Sequence, residues 1–447
     1  LSARASKGQA ARRREADLIV TGRALLTLDA AGTVFEDGAL AVTAGRIEAA
    51  GTKADIEARF TARERIDEPG CVIMPGLING HTHVAMTLFR GLADDLPLME
   101  WLTGHIFPAE RKLTRQAVRA GALLGMAEMI LSGTTSFLDM YLFADQVAEA
   151  AEEAKLRAIV GEVLYDFDSP NYGPPDNGLK FTEDLIAHWR GHDLVQIAVE
   201  PHALYTCSAK LLQEASDIAR REGCRLHLHA AETKDEVHQV VRRFGGRPLR
   251  VLAELGLLGS HLILAHCVAL SEEDIEMMAL SRTAAVHCPQ SNLKLASGVA
   301  PLPLMLSAGV RLALGTDGPA SGNTLDMLAE MDCAAKIHKV VTKDPTAVPA
   351  RVALRLATSG GAEALGLDTV GSLEAGKRAD FILVDFDQPH LTPVYSYESH
   401  LAYAARGADV VLTAVDGRIL ARRGQLTTLD LEEVMAKARE AAAALRR

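Results

Sequence analysis

The chain has no C-x-x-C pair, no long apolar run and no surplus of positive charge, and each absence removes a class of protein. Its six cysteines, at positions 71, 207, 224, 267, 288 and 333, are scattered. That spacing fits reduced thiols in a cytoplasmic protein better than a disulfide framework. No apolar stretch approaches the roughly 18–20 residues of a membrane-spanning helix. The formal net charge of −11 repels a nucleic-acid backbone on average, so a small molecule is the expected partner. Leu1 to Glu15 carries Arg12, Arg13 and Arg14 but lacks the apolar core and cleavage site of a signal peptide; a tail without a role is expected there. No G-x-G-x-x-G follows an early strand, which weighs against a dinucleotide fold. There is no internal repeat and no low-complexity segment.

What is present is enough apolar residue, 48% of 447, for a large core plus a smaller unit. From Ala16 to Val72 the text is short β-type runs punctuated by glycine: ADLIVTG, ALLTLD, ALAVTAGRIEAAG, CVIMPG. The texture returns in ADFILVDFD and ADVVLTAVDGRILARRG. Neither end has strands enough for a stable sheet, so residues 16–72 and 373–426 are predicted to meet as one small composite β-sandwich. Between them, over 73–372, apolar strands alternate with helical patterns. The strands are VIMPGLINGHTH, TTSFLDM, RAIVGEVLYD, LVQIAVEPH, CRLHLHAAE, HLILAHC, TAAVHCP and VRLALGTDG. Eight such α/β units predict a (β/α)8 TIM barrel, with a doubly wound open sheet as the alternative. Residues 427–447 read as a C-terminal amphipathic helix packed on the outside.

Barrel enzymes place catalytic groups at the C-terminal ends of strands. The first strand ends in His81-Thr82-His83, and residues two apart on a strand face the same side, so both imidazoles can converge on one cation. The fifth ends in His227-Leu228-His229, followed shortly by Glu232; the sixth ends at His266 and the eighth at Asp317. Polar groups at the ends of so many apolar strands are hard to explain as packing. His227 lies deeper in its strand and reads as a barrel-layer or supporting residue. His287 and Cys288, ending the seventh, read as structural or as pocket wall. His105, His188, His192, His238, His261, His338, His390 and His400 read as ordinary solvated histidines.

PGLINGHTHVAMTLFRGLADDLPLMEWL, HAAET, LAHC, HCPQSNLKLASG and GTDGPASGN together resemble the amidohydrolase superfamily, and most closely its 5′-methylthioadenosine/S-adenosylhomocysteine deaminases. The resemblance runs from about Asp17 to Leu426. It implies a zinc-dependent hydrolytic deaminase of 5′-modified adenosines, with His81, His83, His229 and Asp317 as metal ligands. It further implies that Glu232 shuttles the proton, that His266 orients the attacking hydroxide and that Asp317 accepts the proton of the water. Trp101 matches the pocket wall, Glu110 the ribose hydroxyls and His202 the purine. Binuclear relatives carry a carboxylated lysine at the end of the fourth strand. LVQIAVEPH has none, so one Zn2+ per subunit is expected. Zinc held by such ligands brings the pKa of bound water down towards about 7. Attack at C6 of adenine requires protonation at N1, which Glu232 is suitably placed to supply.

Plainer readings stand beside these. Glu232 and Glu110 each lie near a helix start, where a carboxylate is favourable in any case. Trp101 also reads as a core aromatic. Relatives bind the homocysteine carboxylate with arginines on the third strand and the loop after it. Here Glu162 ends that strand, and Lys180 is the only evident cation in PNYGPPDNGLK. Neutral 5′ substituents are therefore expected to be preferred. The alternatives in function are a related hydrolase of a free purine base or a triazine ring, and a catalytically inactive homologue of the same fold. The sequence leaves a homo-oligomer open.

Overall fold

The computed structural model describes residues 13–446. Of the tail expected over Leu1–Glu15, Arg12 and the residues before it lie outside the described residues, and Arg14 and Glu15 instead open the first strand. The N-terminal strands are β1 (Arg14–Leu26), β2 (Val34–Glu36), β3 (Gly38–Thr43), β4 (Arg46–Thr52) and β5 (Phe60–Pro75). After them come β6 (Leu77–Thr82), β7 (Thr134–Tyr141), β8 (Arg157–Leu164), β9 (Val195–Ile197) and β10 (Glu200–Pro201). The series continues with β11 (Leu226–Ala230), β12 (Leu262–His266), β13 (Ala284–His287) and β14 (Arg311–Leu314). It closes with β15 (Phe381–Asp385), β16 (Val410–Val415), β17 (Arg418–Arg422) and β18 (Gln425–Leu426).

Strands from both chain ends share one nine-stranded mixed sheet, ordered β18-β17-β16-β15-β5-β1-β3-β4 with β2 beside β1. β15 joins the two sets by pairing antiparallel with residues 71–75 of β5. The middle of the chain is α/β. β6, β7, β8 and β10 run parallel in one sheet, with β9 beside β8, and β11 to β14 run parallel in a second. Parallel bridges Val199–Leu226 and Ala203–His229 join the two. At the other edges the Asp317 amide donates to the His81 carbonyl at 3.0 Å. Gly315 permits that approach, since a Cβ there would lie 2.7 Å from the His81 backbone nitrogen.

Helices separate these strands, as a parallel arrangement requires, except that β10 follows β9 directly along the same edge of β8. The stops are local: Ser208 caps Ala209–Glu222, which ends on Gly223 at φ +69°. β7, β8, β11, β12 and β13 are buried along their whole length, so they read as continuous apolar runs rather than alternating ones. The buried Arg157 of β8 fastens the mixed sheet to this region through Asp380 at 2.9 Å and Asp416 at 2.8 Å. The C-terminal helix spans Leu431–Leu445 and packs on Arg115–Leu131.

Candidate active site

The ends of β6, β11 and β12 and the turn after β14 meet over one cleft. His83, His229, Glu232, His266 and Asp317 line it, facing Trp101, Glu110 and His202. His81 is fully buried directly beneath, its ring edge-on to those of His83 and His229. Three of the turns that aim these side chains use left-handed backbone at non-glycine residues: Ala231 (φ +53°), His266 (φ +72°) and Asp317 (φ +58°). Such conformations cost about 1–3 kcal/mol each and persist where the surroundings hold them.

Hydrogen bonds fix the tautomers. His83 Nδ1 bonds the Met140 carbonyl, and His229 Nδ1 the His202 carbonyl at 2.9 Å. A carbonyl oxygen only accepts, so in the neutral rings both Nδ1 atoms carry the proton and both Nε2 atoms present lone pairs. Those two Nε2 atoms face each other at 3.3 Å. Asp317 Oδ1 sits 3.2 Å from His83 Nε2 and 3.5 Å from His81 Nε2, and neither ring nitrogen of His81 has a hydrogen-bond partner. Lone pairs converging on one point call for a positive charge. The triads His81/His83/Asp317 and His81/His229/His266 each bring donor atoms within 4.8 Å of one another. Imidazole nitrogens with one carboxylate oxygen are a zinc-type donor set.

The electrostatics agree. Burial opposes charge on His83, yet Asp317 outweighs it and lifts the imidazole to about 9, while burial takes His81 down to about 4. Asp317 is held well below the ordinary carboxylate range: burial opposes ionisation, but the imidazoles of His81 and His83 beside it and the charges of His266 and His83 prevail. Burial raises Glu232, which therefore keeps a proton at higher pH than an exposed carboxylate. It also lifts Glu110 to about 7 and drops His202 to about 3, leaving that ring neutral.

Residues that sequence reasoning did not single out complete the site. Ser291 and Ser321 donate to Asp317 Oδ2 at 2.6 and 2.7 Å, turning Oδ1 towards the histidines. Asn292 Oδ1 accepts a hydrogen bond from His266 Nδ1–H at 2.9 Å, leaving Nε2 4.0 Å from Glu232 Oε2. Ser297 donates to Glu232 Oε1 at 3.3 Å. Ser291, Asn292 and Ser297 all lie inside HCPQSNLKLASG, so the signal was a polar run after a strand end. Phe107, Tyr141, Tyr165 and Tyr205 supply an aromatic wall whose members are spread too widely along the chain to be read as a set.

Three expectations need correction. Glu162 does not face the cleft: on β8 Val163 does, and alternation turns Glu162 outward, where its Oε2 accepts from Ala144 N–H. Lys180 sits exposed on the helix Asp176–Trp189, paired with Asp184. His338 is not solvated but 1% exposed, its Nε2 3.1 Å from that of His287. His287 does not line the cleft and is structural through that pair. His227 is buried too, bonding Glu200 at 3.0 Å.

The site is that of a metal-assisted hydrolase, and the sequence pattern of the amidohydrolase family matches residues 72–420; the chain belongs to that family. Within it, the chain is 55% identical over 425 residues to the 5-methylthioadenosine/S-adenosylhomocysteine deaminase of Syntrophobacter fumaroxidans, covering 95% of this chain and 97% of that one. It is 44% identical over 429 residues to the 5′-deoxyadenosine deaminase of Methanosarcina mazei, covering 96% and 98%. An adenosine deaminase from Xanthomonas campestris, solved with bound zinc, superimposes with a TM-score of 0.96 at 38% identity over 97% of this chain and all of that one.

Proposed function

We propose that the chain hydrolytically deaminates 5′-modified adenosines to the inosine analogues and ammonia, using one zinc ion. One observation carries the reading: a cation-demanding His/Asp cluster shares a single cleft with a proton-holding Glu232 and, opposite, with Glu110 and His202. His81, His83, His229 and Asp317 would hold the metal. When bound, zinc makes water a nucleophile at neutral pH by lowering its pKa. Asp317 accepts the proton released by that water, and His266, its tautomer set by Asn292, orients the oxygen by a hydrogen bond. Glu232 delivers its proton to N1 as the new C6–O bond forms, takes up the proton of the C6 hydroxyl and passes it to the departing nitrogen as the C6–N bond breaks; the proton held by Asp317 then restores Glu232. The neutral His202 hydrogen-bonds the purine, Glu110 takes the ribose hydroxyls, and Trp101 closes the wall.

The same reading treats the parallel strands of residues 73–372 as a closed (β/α)8 barrel. The bridges between the two sheets and the Asp317–His81 backbone bond support closure. It treats 16–72 with 373–426 as a composite β-sandwich, with 427–447 as an appended helix. Among the described residues no helix is long and apolar enough to cross a membrane, and all six cysteines are free, four of them buried. Both facts suit the cytoplasm.

The test is ammonia release by the metal-loaded protein on 5′-methylthioadenosine, adenosine, 5′-deoxyadenosine, S-adenosylhomocysteine, guanine and a chlorotriazine. Turnover confined to the nucleosides is expected. Preference for guanine or for the triazine would overturn the reading.

A further inference from the structure

Glu236 plays no part in the chemistry above, yet it is 2% exposed beside the cleft. It occupies the third position of the helix Lys234–Phe244, whose cap is Thr233; the Thr233 hydroxyl accepts from Glu236 N–H at 3.0 Å. A glutamate at that position ordinarily returns to the amide of the capping residue. Here the carboxylate reaches further back. One oxygen accepts from Ala231 N–H at 3.0 Å and the other from Glu232 N–H at 2.6 Å. Both oxygens are thus spent on the backbone of the residue that handles the proton and of the residue before it.

That backbone needs holding. Ala231 stands at φ +53°, a conformation an alanine adopts only under constraint. The segment is pinned on its other side by Cys267 N–H to the Ala230 carbonyl at 3.2 Å and Ala269 N–H to the Ala231 carbonyl at 2.7 Å. The two amides taken by Glu236 complete the frame. The Glu232 side chain itself has only the 3.3 Å contact with Ser297 and the 4.0 Å approach of His266 Nε2, so its direction comes mainly from its backbone.

We infer that Glu236 is a positioning residue for Glu232: its carboxylate clamps the Ala231–Glu232 peptide so that the Glu232 carboxyl points into the cleft. The inference rests on the deaminase reading for its kinetic consequence, though not for the clamp itself. A misplacement of about 1 Å in a reacting group can cost about 10²-fold in rate.

The variants are Glu236→Gln and Glu236→Ala. Glutamine keeps one acceptor and sets an N–H donor against the other amide. With 5′-methylthioadenosine, Glu236→Gln should lose about 10- to 100-fold in kcat, with KM within about three-fold and metal content unchanged. On a Glu232→Gln background the same change should cost almost nothing further, because the group it positions is already disabled. Hydrogen–deuterium exchange over residues 230–236 should speed up at the Ala231 and Glu232 amides. That arm needs no substrate, so a parent inactive on every nucleoside would sink the deaminase reading and leave the clamp to be judged by exchange. Unchanged exchange overturns the clamp. An unchanged kcat, a loss confined to KM, or full additivity with Glu232→Gln overturns the positioning role. If Glu236→Ala does not fold, Glu236→Gln decides every arm.

Discussion

Glu162 Oε2 accepts the backbone N–H of Ala144 at 2.8 Å, at the start of the helix Ala144–Ala154, whose cap residue Phe143 offers no side-chain acceptor. A carboxylate that looked in sequence like part of the substrate pocket is instead the cap of a neighbouring helix. Burial pushes its pKa up to about 8, against the pull of Ala144 N–H and Asn171.

A pH-dependent stability difference follows. The folded value lies above the ordinary 4.5, so the neutral acid is the form that suits the fold. Its contribution is fully present below about pH 4.5 and is lost as the pH rises to about 8. Glu162→Gln imitates the neutral acid and still accepts from Ala144. The variant should match the parent near pH 4.5 and exceed it by pH 8, with a ceiling of about 5 kcal/mol at about 1.4 kcal/mol per pH unit. Denaturant melts at both pH values check this. A difference that stays flat across the range would mean that Glu162 is ionised and solvated in the fold.

Metal removal gives the second expectation. Metal analysis should find about one zinc per chain, and a chelator should abolish turnover and lower the melting temperature, since the converging lone pairs of His83 and His229 then lose their counter-charge. His229→Ala should lose both metal and activity. Two tightly held ions per site would contradict the single-metal assignment.

Glu232→Gln should retain the metal and lose about 10²–10⁴-fold in kcat, because an amide cannot shuttle a proton. Activity within a few-fold of the parent would move that role to another residue.

How far the sequence carried these conclusions depends on the range of each interaction. His81, His83, His229, His266 and Asp317 stood out because polar groups end several apolar strands together, which packing alone hardly explains; His287, ending β13 in the same way, is structural. Asn292, Ser291 and Ser321 escaped because their value lies in which atom of a distant residue they touch. His338 was misread because its helix contacts the end of β13 only through the tertiary fold. Glu162 was misread for a simpler reason: the face of β8 was not counted off from a fixed point. Val163 lines the cleft, and period two puts Glu162 on the opposite side.

The preference among 5′ substituents survives that correction on different ground. The residues lining the cleft include no lysine and no arginine. Tyr165 of the cleft wall stacks on Phe167 at 4.4 Å, and Phe107 lies edge-on to Tyr165 at 6.2 Å. An apolar methylthio group or a 5′ hydrogen gains contact with such a wall. A homocysteine tail brings a carboxylate and an ammonium that lose solvation without finding a partner. Each 1.4 kcal/mol of transition-state binding is about ten-fold in kcat/KM, so a mismatch of even this size is measurable. The expected order of kcat/KM places 5′-methylthioadenosine and 5′-deoxyadenosine ahead of S-adenosylhomocysteine by about ten-fold or more. Phe167 is 42% exposed, so Phe167→Arg should fold and should narrow the gap by offering the carboxylate a partner. If S-adenosylhomocysteine is the best substrate of the parent chain, the aromatic wall does not meet the tail, and a cation outside the cleft lining must receive it.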